Sequence, residues 1–345
     1  MRNLTVLLTS LILIFYLNNS QAQTFKNASE YLDFVAEEQN DITKDMWKYT
    51  KAVAHSKSDG KIDRRRKNLL KTVDEAIKKI QKAEGFGESD YKSKVLRHIQ
   101  FSKDLLNEDY AKIVDMKAVA EQSYDAMEAY ILAQEMADKK MEESQQEYER
   151  DFYAFANENN IQIIESETDL GKKMTISNEV FKYKSDLYLI YFKVFINEVY
   201  LMDALERGDV SALQQNSNAL NAAAKEGLEI LKEQELYKND GSIIKSTESV
   251  FEFFIEESEN YVPQITEFLV LNEDFEAIKN TMEKMNPRKR TQKQIDEYNE
   301  KVKQLNKGVK NYNKINAELN NKRQQAINKL YDTYAKFLDK HVPND

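Results

Sequence analysis

Apolar residues recur along this chain at steps of three, four and seven, the spacing that lines one face of an α-helix. Tyr31, Val35, Ile42, Met46, Tyr49 and Val53 follow Ser29, a suitable N-cap, and predict a first helix ending near Gly60. Leu69, Leu70, Val73, Ile77 and Ile80 predict a second, stopped before Gly85-Phe86-Gly87. A third, capped at Ser89, carries Tyr91, Val95, Ile99, Leu105 and Leu106. A longer fourth runs through Ile113, Met116, Tyr124, Met127, Ile131, Tyr148 and Phe155 to Asn159-Asn160. Between residues 159 and 176 the period dissolves around Gly171, which marks a linker or functional loop. Ile161-Gln162-Ile163 suits one short strand with nothing to pair with.

Helical patterning resumes from Ser177 to Arg207, Asp209 to about Tyr237, Ser242 to Asn260 and Pro263 to Met285, with Pro263 acceptable in a first turn. After Asn286-Pro287, Thr291 with Gln294 fits a capping box and opens a last helix toward His341. Its Ile295, Tyr298, Val302, Leu305, Val309, Tyr312 and Leu319 keep heptad spacing, with Asn316 and Arg323 on the same seam. That seam is the expected surface for a protein partner or for self-association. The expected fold is all-α: an elongated antiparallel bundle of about eight helices with a long coiled-coil-like C-terminal helix. It divides into an N-terminal helical region over 23–158 and a C-terminal one over 177–345.

The N-terminus adds a location. Arg2, the mostly apolar run from Leu4 to Leu17, and Ser20-Gln21-Ala22 have the layout of a signal peptide over residues 1–22, cleaved between Ala22 and Gln23. The apolar run falls short of the ~20 residues a spanning helix needs, and no other segment reaches that length free of charge, so no membrane span is expected after processing. With no cysteine there is neither a disulfide framework nor a lipid-modified cysteine. Export without these suggests a bacterial envelope: periplasmic, secreted, or held peripherally at a surface. The formal charge of −9 argues against nucleic acid as a general partner.

Candidate chemistry is sparse. Leu187 to Leu205 is the most apolar segment after the leader, with Lys182, Asp186, Lys193 and Asn197 in one narrow polar stripe. Glu198 lies off that stripe among Val194, Phe195, Leu201 and Met202, where burial would raise its pKa toward general acid or base work; the simpler reading is a carboxylate paired with Lys, Arg or Tyr from a neighbouring helix. Glu121, Asp125 and Glu128 share a face of the fourth helix and suit a hard cation, while Lys117, one turn earlier, favours a solvated face of ion pairs. His55, His98 and His341 show no ligand spacing, and no Glu-x-x-His, HExxH, phosphate loop or GxSxG elbow occurs, so neither catalysis nor a cofactor is expected. Arg64-Arg65-Arg66-Lys67 and Arg288-Lys289-Arg290 suit anionic headgroups or envelope polymers, with plain solvated surface as the simpler account. The 19 tyrosines suit a carbohydrate cleft or, more simply, core edges with wet hydroxyls.

Tyr31 to Val35, Lys44-Asp45-Met46-Trp47-Lys48-Tyr49-Thr50, Ala54-His55-Ser56-Lys57 and Glu121-Gln122-Ser123-Tyr124-Asp125-Ala126-Met127-Glu128-Ala129-Tyr130 resemble a family of bacterial surface proteins of the leptospiral type. The resemblance implies an envelope location, assigns no activity and carries over no functional residue. The expectation is thus an exported, non-enzymatic helical envelope protein acting in protein interaction or surface scaffolding. A binding protein for a small molecule or glycan is the alternative, and a membrane-active helical protein the third reading.

Overall fold

The computed structural model describes residues 23–109, 119–163 and 168–344. Among these the chain is all-α, in nine helices: α1 (Ala28–His55), α2 (Asp59–Lys82), α3 (Tyr91–Asp104), α4 (Tyr124–Glu158), α5 (Asp169–Glu206), α6 (Val210–Lys232), α7 (Ser242–Glu256), α8 (Val262–Lys284) and α9 (Gln292–His341). A π-turn over Glu257–Tyr261 joins α7 and α8 without a break, so the described helices form eight rods, in line with the expected bundle of about eight helices. The leader, with the Ala22 side of the expected cleavage, lies outside the described residues, as do Ile113, Met116 and Lys117.

Caps fix most helix starts. Side-chain oxygens of Asn27, Ser58, Ser123, Thr168, Asp209 and Thr291 accept from backbone N–H groups in the first turns of α1, α2, α4, α5, α6 and α9. At Thr291 both halves of the predicted capping box with Gln294 are present. Several expected boundaries need correction. Asn27, not Ser29, caps α1, and Gly60 lies in the first turn of α2 rather than at the end of α1. The fourth helix starts only at Tyr124, because Ser123 caps it after a turn at Glu121 and Gln122. The expected linker 159–176 is shortened from its far side: α5 begins at Asp169, where Thr168 accepts from the Gly171 N–H at 3.0 Å. No strand forms at 161–163; the Ile161 N–H closes the end of α4 on the Ala156 carbonyl.

Two large apolar cores result, with two smaller clusters, one of which joins Met127 and Ile131 of α4 to Phe192 and Ile196 of α5. In the first, Tyr31, Leu69, Val73, Ile80, Tyr91, Val95, Ile99 and Phe155 bring α1 to α4 together. The second is built on α5 to α9 around Leu187, Tyr191, Leu220, Phe251, Phe254, Leu330 and Phe337, and α1 reaches it with Trp47. The closest approach in the second core is at Gly227, where an added Cβ would lie 2.6 Å from Phe251 Cε2 and 3.0 Å from Val194 Cγ2. Both neighbours are buried and cannot swing away. Gly227→Ala is therefore expected to destabilise by about 1 to 2 kcal/mol despite alanine's better helix propensity. A melting temperature at or above that of the parent would contradict this packing.

The α7–π-turn–α8 rod runs antiparallel to α9. Ser246 meets Thr333, Glu256 meets Lys322, Tyr261 meets Glu318, Phe268 stacks on Tyr312 and Phe275 packs on Tyr298, so residue numbers rise on one rod as they fall on the other. The two halves of α9 differ in surroundings. From Ile315 to Leu338 it carries buried residues and packs on α1, α5 and α7, whereas from Gln292 to Lys314 none of its residues is fully buried. At a rise of about 1.5 Å per residue, the tip of the α8–α9 hairpin stands roughly 35 Å beyond Ile315, the first buried residue of α9.

Candidate functional site

A buried cluster of two acids and one arginine lies where α5, the π-turn and α9 meet. Pro263 lacks an N–H and crowds the carbonyl four residues back, so the helical ladder widens ahead of it and the Val262 N–H reaches the Glu257 carbonyl five back. Glu257 is 1% exposed in this turn, and Glu198 on α5 is 3% exposed. Arg323 from α9 bridges them. Its Nε lies 2.5 Å from Glu198 Oε1, a close ion contact rather than an aligned hydrogen bond, and its Nη2 donates to Glu257 Oε1.

Burial pushes both carboxyls above their ordinary range. For Glu257 burial outweighs the pull of Arg323, and the neighbouring Glu198 adds to the rise, bringing it to about 7. Glu198 is raised by burial and held back by Arg323. Two acids against one guanidinium leave the cluster one negative charge in excess when both are ionised. Neither carboxyl lines the groove between α3 and α4 or the one between α5 and α6. The paired reading of Glu198 holds: it is an inter-helix lock. Sequence reasoning placed Arg323 on the heptad seam without its acids, and it missed Glu257 altogether.

The acidic face does not assemble. Glu121 sits in the turn before α4 while Asp125 and Glu128 lie within the helix, so the three do not share one helix; all are exposed, and Glu128 accepts from the Tyr124 hydroxyl at 3.3 Å. Among the described residues no group of three or more His, Cys, Asp or Glu could hold a metal ion. The polar stripe of α5 is tied down by Lys182–Asp186 at 3.2 Å and Lys193–Glu226 at 3.0 Å, and Asn197 donates to the Lys193 carbonyl.

The C-terminal seam is not free along its length. Leu319 is fully buried in the second core, and Tyr312 is covered by Phe268. Tyr298 packs on Phe275, and Ile295, Val302 and Leu305 are half-buried; only Val309 is exposed. At Gly308 an added Cβ would come within 3.1 Å of Leu271 and 3.2 Å of Phe268, so α8 already lies close against this face. The heptad pattern thus encodes a hairpin within the chain.

Two histidines anchor the C-terminal end. His55 Nδ1 lies 3.1 Å from Asp339, and His341 Nε2 lies 2.8 Å from Asp240, which Lys340 also contacts at 2.6 Å. His98 instead stacks on Tyr148 with Nδ1 2.8 Å from Ser144 Oγ, and burial lowers its pKa. It borders a groove of about 340 Å³ between α3 and α4, lined also by Lys94, Arg97 and Arg150. A second groove, of about 460 Å³, lies between α5 and α6 beside Tyr124 and Gly227. Tyr148 and Tyr124 each border one of these grooves, whereas Tyr188, Tyr191, Tyr331 and Tyr334 pack on one another and on Phe192 and Phe195 across α5 and α9. Compared with known proteins, the chain matches no family model, no curated protein and no solved structure.

Proposed function

We propose that this chain is an exported, non-enzymatic helical scaffold of a bacterial envelope that acts by protein interaction, with the α8–α9 hairpin as its contacting arm. The observation that carries this reading is the arm itself, a two-helix projection whose apolar seam is only half-covered. Past Thr266, the buried residues of α8 are Phe275 and Met282 alone. Val270 and Val309 are 42% and 38% exposed, although both belong to the helices that close the hairpin. A projection with so little burial contributes little to the stability of the body, which fits an element kept for contact. The signal-like leader and the resemblance to surface proteins support the envelope location. Among the described residues no helix is long and apolar enough to cross a membrane.

Deleting all of α9 would be a poor test, because Leu319, Leu330, Tyr334 and Phe337 belong to the second core. Excising residues 273–303 and closing the gap with a short Gly-Asn turn spares that core. The excised protein is expected to be exported, cut before Gln23 and folded with an unchanged melting temperature within a few degrees, while its cross-linked assemblies on intact cells disappear. An unaltered cross-linking pattern, or wild-type protein that stays in the cytosol beginning at Met1, overturns the reading.

The second reading, binding of a small molecule or glycan, is favoured by the α3–α4 groove, where the Tyr148 and His98 rings stack beside a hydroxyl and several cations. A ligand-induced rise in melting temperature that His98→Ala abolishes would support it over the scaffold.

A further inference from the structure

The last turn of α8, the connecting 3₁₀ turn Pro287–Lys289 and the first turn of α9 meet at the tip of the arm. From Lys284 to Lys293 the sequence holds five cations, Lys284, Arg288, Lys289, Arg290 and Lys293, and no acid. Arg290 is partly committed: its guanidinium donates to the Met282 and Met285 carbonyls at 2.7 and 3.3 Å and so closes the end of α8. The other four are exposed and make no ion pair among the described residues. The other basic cluster is different in kind, because Arg66 and Lys67 on α2 both reach Asp63, at 3.5 and 2.7 Å.

The asymmetry extends over the whole arm. Residues 271–314 contain eleven Lys and Arg against seven Asp and Glu, a net charge of +4 in a chain whose total is −9. The rest of the chain therefore carries −13. The body stands roughly 35 Å behind the tip, about four Debye lengths at physiological ionic strength. A flat anionic surface would meet the tip and scarcely feel the acidic body, whereas a long polyanion such as nucleic acid would have to run back alongside it.

We propose that the arm tip docks end-on to an anionic phospholipid surface through Lys284, Arg288, Lys289 and Lys293, holding the acidic body away from the bilayer. This rests on the reading of the arm as the contacting element and names what its end contacts. The attachment is electrostatic and peripheral, so it should be reversible and weakened by salt.

Co-sedimentation of the purified protein with vesicles tests it, comparing pure phosphatidylcholine with vesicles containing about a third phosphatidylglycerol, at low salt and at about 0.5 M salt. Binding is expected to the anionic vesicles at low salt only. Each cation near such a surface contributes about fivefold in partitioning, so the combined Lys284→Gln, Arg288→Gln, Lys289→Gln and Lys293→Gln variant should lose binding by several hundredfold. All four positions are exposed, so its far-UV spectrum and melting temperature should match the parent. The control Arg64→Gln, Arg65→Gln and Lys67→Gln on α2 should bind like the parent. Equal binding to both vesicle types, equal binding by the tip variant, or capture of short duplex DNA in place of vesicles overturns the proposal. If the scaffold reading holds and this one fails, cross-linked assemblies will persist in a protein that ignores anionic vesicles; arm excision that leaves the assemblies intact removes the scaffold reading instead.

Discussion

Replacing Arg323 by Met lowers the unfolding free energy by about 3 to 5 kcal/mol near pH 8 and by much less near pH 5, because it strands two buried carboxylates that only protonation can neutralise. Glu198 and Glu257 are 3% and 1% exposed, so water cannot take the place of the guanidinium. Even with Arg323 present, burial holds Glu257 up at about 7 against an ordinary value of 4.5. The folded protein therefore binds more protons than the unfolded chain between those values. Since stability falls with pH wherever the folded state holds the extra proton, the parent should lose stability as pH rises through this window and level off above it. Glu257→Gln removes the titrating group while Glu198 keeps Arg323 paired. It should flatten the slope and be more stable than the parent near pH 8, by as much as about 3 kcal/mol at 1.36 kcal/mol per pH unit. Urea titrations of the three proteins at both pH values decide the matter. An Arg323→Met penalty that is the same at both, or a Glu257→Gln protein less stable than its parent at the higher pH, would show that the triad is not the electrostatic knot described.

This cluster also marks where sequence reading stops. Helix existence was legible throughout, because the 3.6-residue period of the apolar positions is written locally, and so was the Thr291 cap, whose partner Gln294 lies three residues on. The start of α5 was hidden because its first turns, Asp169 to Lys173, are polar and contain Gly171; the apolar positions Leu170, Met174 and Ile176 that pack on the second core are spaced too irregularly to stand out. The break before α4 was missed because Ser123 caps without an acidic partner three residues later. Glu198 stood out as a lone acid on an apolar helix. Glu257 did not, since Glu256, Glu257 and Glu259 look alike in sequence and only the π-turn ahead of Pro263 decides which one faces inward. The salt bridges separate them: Glu256 reaches Lys322 and Glu259 reaches Lys225, both at the surface, and Glu257 alone is sealed against Arg323. The heptad seam was expected to take a protein partner or a second copy, but a period cannot say whether the partner helix belongs to the same chain, and here α8 covers most of it.

Phe155→Ala should cost about 3 to 5 kcal/mol in the first core and leave the second standing. Phe155 is 2% exposed, its ring stacked on Tyr91 with centroids 4.6 Å apart and edge-on to Tyr31 at 5.8 Å, so truncation opens a cavity between α1, α3 and α4 that rigid aromatic neighbours cannot fill. Whether the loss spreads depends on α1, the helix that serves both cores: its N-terminal half supplies Tyr31, Leu32 and Val35 to the first, and twelve residues on from Val35 it supplies Trp47 to the second. Trp47, the single tryptophan of the chain, thus reports on the second core from within a helix of the first. The buried residues of that second core include none of Tyr31, Tyr91 and Phe155, which belong to the first. Thermal unfolding of Phe155→Ala followed by far-UV circular dichroism is therefore expected to split, with an early loss of helix that Trp47 fluorescence does not register and a later step that both probes share. Coincident transitions in the variant would mean that the 28-residue α1 melts as a unit and carries the failure of one core directly into the other.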